Sequence, residues 1–290
     1  DISNKATKRV KCDVFVAGGG ITGSALFRYF AEAGKKVVMA NADRGSSWRN
    51  IGGGRPAFSL PEISDIANHN LAIFKQLQKA TNINFKPTRY VGFAHDNDTY
   101  KALEASLAWS DGYMVDRKDF QKEISPYFNP KNKTYKAALI TNNCWQATPG
   151  LVINYIRNIA IQNGGTLLED CHLLEVQKSA NGFIALVQTH DKQYVEYHCE
   201  HFVNALGANA SKFASQLGLE IGLFPIRHQA FITRRLPLLG KDGDALDMLI
   251  DRRHYKGFIA VYGQQFAETG QIIGCASPAV DAMEMGKELK

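Results

Sequence analysis

The chain has 290 residues, 45% of them apolar and 21% charged, with a formal net charge of +6. Those values suit one large folded domain or two ordinary ones and exclude a disordered chain. The basic residues are scattered in small groups such as Arg234-Arg235 and Arg252-Arg253, without a basic block or a nucleic-acid motif, so a solvated basic surface is favoured over nucleic-acid binding, and an anionic small molecule would also suit the balance.

Residues 11–17 read as a short strand buried on both faces. The run Gly18-Gly-Gly-Ile-Thr-Gly23 follows at once. Apolar residues at Ala25, Leu26, Tyr29, Phe30 and Ala33 then give a helical period over Ser24 to Gly34, with Gly34 as the stop. Lys36 to Ala40 reads as a second strand, completing a β-turn-α-β unit. Residues 44–59 are rich in Gly, Ser and Arg and read as loop.

Pro61 to Thr81 carries one apolar stripe and reads as helix. Residues 85–147 are mixed, with a strand at Tyr90-Val-Gly-Phe and helices near Asp98 to Ser110 and Arg117 to Ile124. Thr148-Pro-Gly opens a helix over Leu151 to Gln162, closed by Gly164-Gly165. Strands are expected at Thr166 to Glu169, Leu173 to Gln177, Phe183 to Thr189 and Tyr194 to Val203, with Asn181-Gly182 as a hairpin turn. His201 to Gly207 reads as a further buried strand ending in glycine. Strands at Gln229 to Thr233, Gly257 to Tyr262 and Gln271 to Cys275 precede a polar helical tail, Asp281 to Lys290. The order predicts an α/β fold with a second, sheet-rich portion inserted into it or following it.

Five widely spaced cysteines (Cys12, Cys144, Cys171, Cys199 and Cys275) show no CxxC and no Cys/His cluster at metal spacing. They read as buried free thiols of a reducing compartment. No run approaches the roughly 20 apolar residues of a membrane span, and the amino terminus carries no signal-like apolar core. The expected location is cytoplasmic.

Gly18-x-Gly20-x-x-Gly23 between a strand and a helix has a physical logic. The first glycine makes the tight turn, the second lets backbone approach a pyrophosphate, and the third allows close helix–strand packing. The helix start, Ile21 and Thr22 included, offers free N–H groups and a positive dipole end to phosphates. In this context the pattern predicts a dinucleotide site. The usual acid about 20 residues further on, which bonds a ribose hydroxyl, is replaced by Asn41, an uncharged donor and acceptor; Asp43 follows two residues later.

Val14-Phe-Val-Ala-Gly-Gly-Gly-Ile-Thr-Gly23 resembles the opening of the FAD-dependent D-amino-acid oxidase, glycine oxidase and sarcosine oxidase family. Three further stretches share the resemblance: Thr148-Pro-Gly-Leu-Val-Ile-Asn-Tyr-Ile-Arg, Phe202-Val-Asn-Ala-Leu-Gly-Ala-Asn-Ala and Leu217-Gly-Leu-Glu-Ile-Gly-Leu-Phe-Pro-Ile-Arg-His-Gln. Asn209 stands where the second of these usually has Trp. Gly53-Gly-Arg-Pro-Ala57 and Ile226-Arg-His-Gln-Ala-Phe231 look most like the D-arginine dehydrogenase branch.

The resemblance implies a Rossmann-like FAD-binding domain over residues 1–85 and 140–219, with an inserted substrate domain over 86–139 and 220–290. It implies that flavin takes a hydride from the carbon bearing an amine, leaving an imine. The partner is a small-molecule amine or amino acid, with an electron acceptor or a complementing subunit. Gly18, Gly20, Ile21, Thr22, Gly23 and Asn41 would hold FAD, joined by Gly53, Gly54 and Arg55 in the loop against the flavin, by Leu173 beside adenine, and by Ala205 and Gly207. Arg227 and Tyr255 would face substrate.

Plainer readings stand beside these. Arg55 could be a solvated loop residue, Leu173, Ala205 and Gly207 plain core, Arg227 a structural hydrogen bonder, and Tyr255 a half-buried strand tyrosine. The family also has a last FAD segment without an equivalent here, so a second reading is an incomplete or non-catalytic chain serving as subunit or binding module. A nicotinamide-dependent Rossmann enzyme is a third.

Overall fold

The protein is described here by a computed structural model covering residues 7–42, 45–58, 60–226, 228–239, 246–253, 257–266 and 269–278. Val14, Phe15, Val16 and Ala17 are wholly buried and form the end of β1 (Lys8–Ala17), from which the glycine turn leads to α1 (Ile21–Glu32) and β2 (Val37–Asn41). The segment expected as loop holds one helical turn, α2 (Ser46–Arg49), and a two-residue strand, β3 (Gly53–Gly54). Next come α3 (Pro61–Ala80), β4 (Lys86–Ala94), α4 (Asn97–Ala105), β5 (Gly112–Asp116), α5 (Phe120–Glu123) and β6 (Ala137–Gln146). α6 (Pro149–Gln162) precedes β7 (Thr166–Glu169), β8 (His172–Ser179), β9 (Gly182–Gln188) and β10 (Tyr194–Asn204). α7 (Ala210–Gln216), β11 (Ala230–Ile232), β12 (Met248–Asp251), β13 (Phe258–Gln265) and β14 (Ile272–Pro278) follow.

Several elements differ from expectation. His201 to Asn204 is the end of β10 and not a separate strand, because β1 pairs with β10 in parallel from Lys8↔Val195 to Ala17↔Asn204. β5, β6 and β12 carry too little alternation to be legible; β6 is interrupted by Asn142-Asn143, and Asn143 takes φ +58°. The helix expected to reach Ser110 ends at Ala105 and continues as a 3-10 turn. The predicted tail helix lies outside the described residues.

The chain divides into two compact units: the described residues up to Asn50 with Pro149–Pro225, and Ile51–Thr148 with the described residues from Ile226. Residues 51–85, expected with the first portion, group with the second. β3 pairs with β6, and Phe74 of α3 lies 6.0 Å from Trp145 of β6, ring to ring.

In the first unit the sheet order is β7-β2-β1-β10-β9-β8. β7, β2, β1 and β10 are parallel, and β9 and β8 add an antiparallel extension. Side-chain alternation along β1 sorts the core. Val14 and Val16 pack with Phe27 and Ala31 of α1 and Ala160 of α6, while Phe15 and Ala17 pack on the other face with Val187, Val195 and Tyr197. Such doubly covered parallel strands need the continuous apolar runs seen in the sequence. All five cysteines are buried and free; Cys12 and Cys199 face each other across β1 and β10.

The second unit is an eight-stranded sheet ordered β11-β14-β13-β12-β4-β6-β3, with β5 also on β6. Its core joins Val91, Phe93, Ala138 and Ile140 to Phe120 and Ile124. Phe93 stacks on Tyr135 at 4.6 Å. α4 starts with a capping box: Thr99 N donates to Asp96 Oδ1 at 2.8 Å, and Asp96 N donates to Thr99 Oγ1 at 3.1 Å. The Thr99 backbone N–H, together with the Thr99 hydroxyl donating to Asp96 Oδ1 at 2.7 Å, holds the Asp96 carboxyl below its ordinary range. A depressed folded-state pKa gives stability that is present above the unfolded value and lost as pH falls through the folded one. Asp96→Ala is therefore expected to lower the urea midpoint at neutral pH. The gap from the parent should close as pH falls below about 4; a gap independent of pH would contradict this.

Candidate functional site

The carboxyl ends of the four parallel strands gather the predicted cofactor residues of the first unit, where open α/β sheets bind ligands. Gly18 leaves β1 with φ +101°, and a Cβ there would lie 2.4 Å from the Ala205 carbonyl oxygen. Its N–H donates to Ala40 O at 2.9 Å, tying the loop to β2. A Cβ on Gly23 would sit 1.8 Å from Gly18 O, so the third glycine permits the helix to meet the strand. Gly19, the unassigned position of the motif, is hemmed in by side chains: its Cβ would fall 2.2 Å from Arg157 Nη2 and 2.7 Å from Asn41 Oδ1.

Gly20 is the N-cap of α1, with no side-chain cap and no acid in the first turn. Ile21 N donates to Ser47 Oγ at 3.1 Å. Thr22 lies in the same first turn. The small residues of the turn, the positive helix end and the Ser47 hydroxyl beside it form a cradle that fits a pyrophosphate. Ala205 N donates to Ala17 O at 2.8 Å, and Gly207 opens a 3-10 turn at φ +55°. Leu173 of β8 pairs with Val187 and packs against the core on the sheet's second face.

Asn41 ends β2, buried to 7% exposure, and its amide donates to Glu169 Oε2 at 2.7 Å. Glu169 ends β7, directly opposite Asn41 in the parallel register. Its other oxygen accepts from Arg157 Nη1 at 2.6 Å. Arg157, on α6 and 3% exposed, also donates from Nε to Ser24 Oγ at 3.1 Å and from Nη2 to Gly19 O. Burial lowers its pKa, and the Glu169 charge opposes that shift; a guanidinium stays charged regardless. Arg157 closes one of the stretches that carry the resemblance, but neither it nor Glu169 had a role assigned from the sequence. Asp43 lies outside the described residues.

In the second unit a cavity of about 220 Å³ is walled by Arg55, Tyr90, Trp109, Thr141, Ile250 and Arg252. A neighbouring cavity of about 380 Å³ shares Arg55 and Tyr90 and adds Trp145, Met248 and Tyr262. The Arg55 guanidinium lies 4.6 Å from the Phe58 ring and 5.4 Å from the Tyr90 ring. Burial pushes the Tyr90 phenol up, against the opposing charges of Arg55 and Arg252. The Tyr262 phenol is pushed to about 12 by burial and by Cys275. Both phenols thus remain donors at neutral pH.

Among the described residues neither Arg55 nor Arg252 has an acidic partner. Two uncompensated guanidinium groups beside aromatic walls suit a small anion with an apolar body. Gly53 and Gly54 have a packing reason for their size, since a Cβ would strike Met248 at 2.0 Å or Trp145 at 2.2 Å. Arg227 and Tyr255 lie outside the described residues. Arg252 and Tyr90 line the cavity, and sequence reading had assigned them no role. Among the described residues no cluster of metal-ligating side chains occurs, and no helix is long and apolar enough to cross a membrane.

A parallel sheet whose glycine turn opens onto a helix start defines a dinucleotide-binding α/β fold. The model of the DAO family, FAD dependent oxidoreductase, matches residues 13–274, and the chain belongs to that family. Solved structures share the fold. L-proline dehydrogenase from P. horikoshii is 22% identical with a TM-score of 0.76, and the match covers 93% of this chain and 72% of that one. Glycine oxidase from Geobacillus kaustophilus is 16% identical with a TM-score of 0.78, covering 93% and 72%. L-alpha-glycerophosphate oxidase from Mycoplasma pneumoniae, with FAD bound, is 19% identical with a TM-score of 0.72, covering 94% and 73%. No curated protein matches the sequence.

Proposed function

We propose that the protein oxidises the CH–NH bond of a D-amino acid or related amine. The chemistry supplied by bound FAD is acceptance of a hydride from the amine-bearing carbon, which leaves an imine. The first unit serves as the FAD domain: the glycine turn and the helix start at Gly20, Ile21 and Thr22 face the pyrophosphate, the Ile21 N–H being shared with Ser47 Oγ, and Ala205 and Gly207 border the cofactor. An electron acceptor or complementing subunit completes turnover.

The observation that carries the substrate side is the pair Arg55 and Arg252 in one cavity, without acidic partners among the described residues. A substrate carboxylate would replace that missing counter-charge, and the Tyr90 phenol would donate to it. A second carboxylate would be held by the second guanidinium, whereas a cationic side chain would meet two like charges. Acidic amino acids are therefore favoured over basic ones.

The purified protein should show visible flavin bands, on isolation or after FAD is added. Under anaerobic conditions D-glutamate should bleach them faster than D-arginine. Arg252→Gln should slow bleaching by D-glutamate about tenfold or more, the loss expected from one charge-assisted contact. Equal bleaching by both amino acids would remove the acidic preference, and a protein that takes up no FAD would overturn the reading as a whole.

A further inference from the structure

Dinucleotide-binding folds place an acid at the end of the second strand to hold the ribose hydroxyls of the adenosine half. Asn41 stands at that place in β2 and brings no charge. The parallel register sets Glu169, the last residue of β7, directly opposite, so a carboxylate reaches the same corner from the neighbouring strand. It is held from behind by two buried groups, Asn41 Nδ2 on Oε2 at 2.7 Å and Arg157 Nη1 on Oε1 at 2.6 Å.

The Glu169 side chain is nevertheless 49% exposed. A carboxylate has about four lone-pair sites, and these two bonds occupy one on each oxygen. The outward pair remains for hydroxyl donors. The same guanidinium that steadies Glu169 also bonds Gly19 O in the glycine turn. The acid and the turn are thereby fixed to one another through a single buried side chain.

We propose that Glu169, positioned by Asn41 and Arg157, receives the hydroxyls of the adenosine ribose of FAD. This rests on the reading of the first unit as the FAD domain. The carboxylate has moved one strand over, and Asn41 has become its positioning residue.

The test is binding, read by calorimetry on the full chain with FAD, ADP and 2′,3′-dideoxy-ADP. The parent should bind ADP about tenfold or more tightly than dideoxy-ADP, the scale of hydrogen bonds to a charged acceptor. Glu169→Gln should lose most of that preference, read as the ratio of the ADP and dideoxy-ADP affinities within the variant. Asn41→Asp supplies a second, independent variant. It restores the acid of the usual position but sets it against Glu169, so ADP binding should weaken.

Tighter ADP binding in Asn41→Asp, or an unchanged hydroxyl preference in Glu169→Gln, would overturn the proposal while FAD binding by the parent stands. A parent that binds neither FAD nor ADP would instead remove the FAD reading, and this inference with it.

Discussion

Gly23→Ala is expected to cost about 3 kcal/mol or more of folding stability and to abolish FAD uptake. The new Cβ would lie 1.8 Å from Gly18 O and 3.0 Å from Gly18 C, with Ala205 Cβ 3.2 Å away. The two nearest obstacles are main-chain atoms, which cannot swing aside as the end of a long side chain can. The helix cannot retreat easily either, because Phe27 and Ala31 of α1 are locked among Val14, Val16, Val37 and Met39.

Nor can the turn move away from the helix. Gly18 N is bonded to Ala40 O, and Ala205 N to Ala17 O. Relaxation must therefore break either core packing or the turn that presents N–H groups to the phosphates. Gly19→Ala provides the contrast: its new Cβ meets the side chains of Arg157 and Asn41, which can shift. It should reduce nucleotide affinity more than it reduces the urea midpoint. A Gly23→Ala protein with the parent's midpoint and flavin content would show that helix and strand do not approach as closely as described.

The β-turn-α-β unit was legible because its signals are local. A parallel strand covered on both faces must be continuously apolar, and the turn that follows must be glycine for steric reasons visible in the motif. Glu169 was not legible for the opposite reason. It is separated from Asn41 by 128 positions, and only the register between β2 and β7 brings the two together. Arg157 looked like one more polar residue on an apolar helix, although it turns inward to three acceptors, Ser24, Gly19 and Glu169, and to the face of Trp48 5.3 Å away.

The second unit shows the same limit. Its cavity takes Arg55 from the loop after β3, Tyr90 from β4 and Arg252 from just beyond β12, and β12 is only four residues long. Arg227 and Tyr255, the substrate-side residues expected by resemblance, lie outside the described residues. Long-range pairing, which no local period encodes, decides which cations share a cavity.

Arg157→Met is expected to lower stability by about 2–4 kcal/mol. Breaking a buried ion pair by removing one partner costs about 3–5 kcal/mol because the other charge is stranded. Here the stranded group is Glu169, half exposed, so water offsets part of the loss. Gly19 O and Ser24 Oγ lose a donor as well. Arg157→Lys should recover only part of the loss, because one ammonium cannot reproduce a planar fork aimed at three acceptors.

The reverse deletion is the sharper test. Glu169→Gln leaves the guanidinium, 3% exposed, without its counter-charge, although the amide oxygen can still accept its hydrogen bond. Charge burial then predicts that removing the half-exposed partner is as harmful as removing the buried one. The double variant Arg157→Met/Glu169→Gln leaves neither charge stranded. Its loss, from urea unfolding at neutral pH, should be smaller than the sum of the two single losses by about 1–3 kcal/mol. Simple additivity would mean that the bridge between the glycine turn and the end of β7 is not held by the pairing of these two charges.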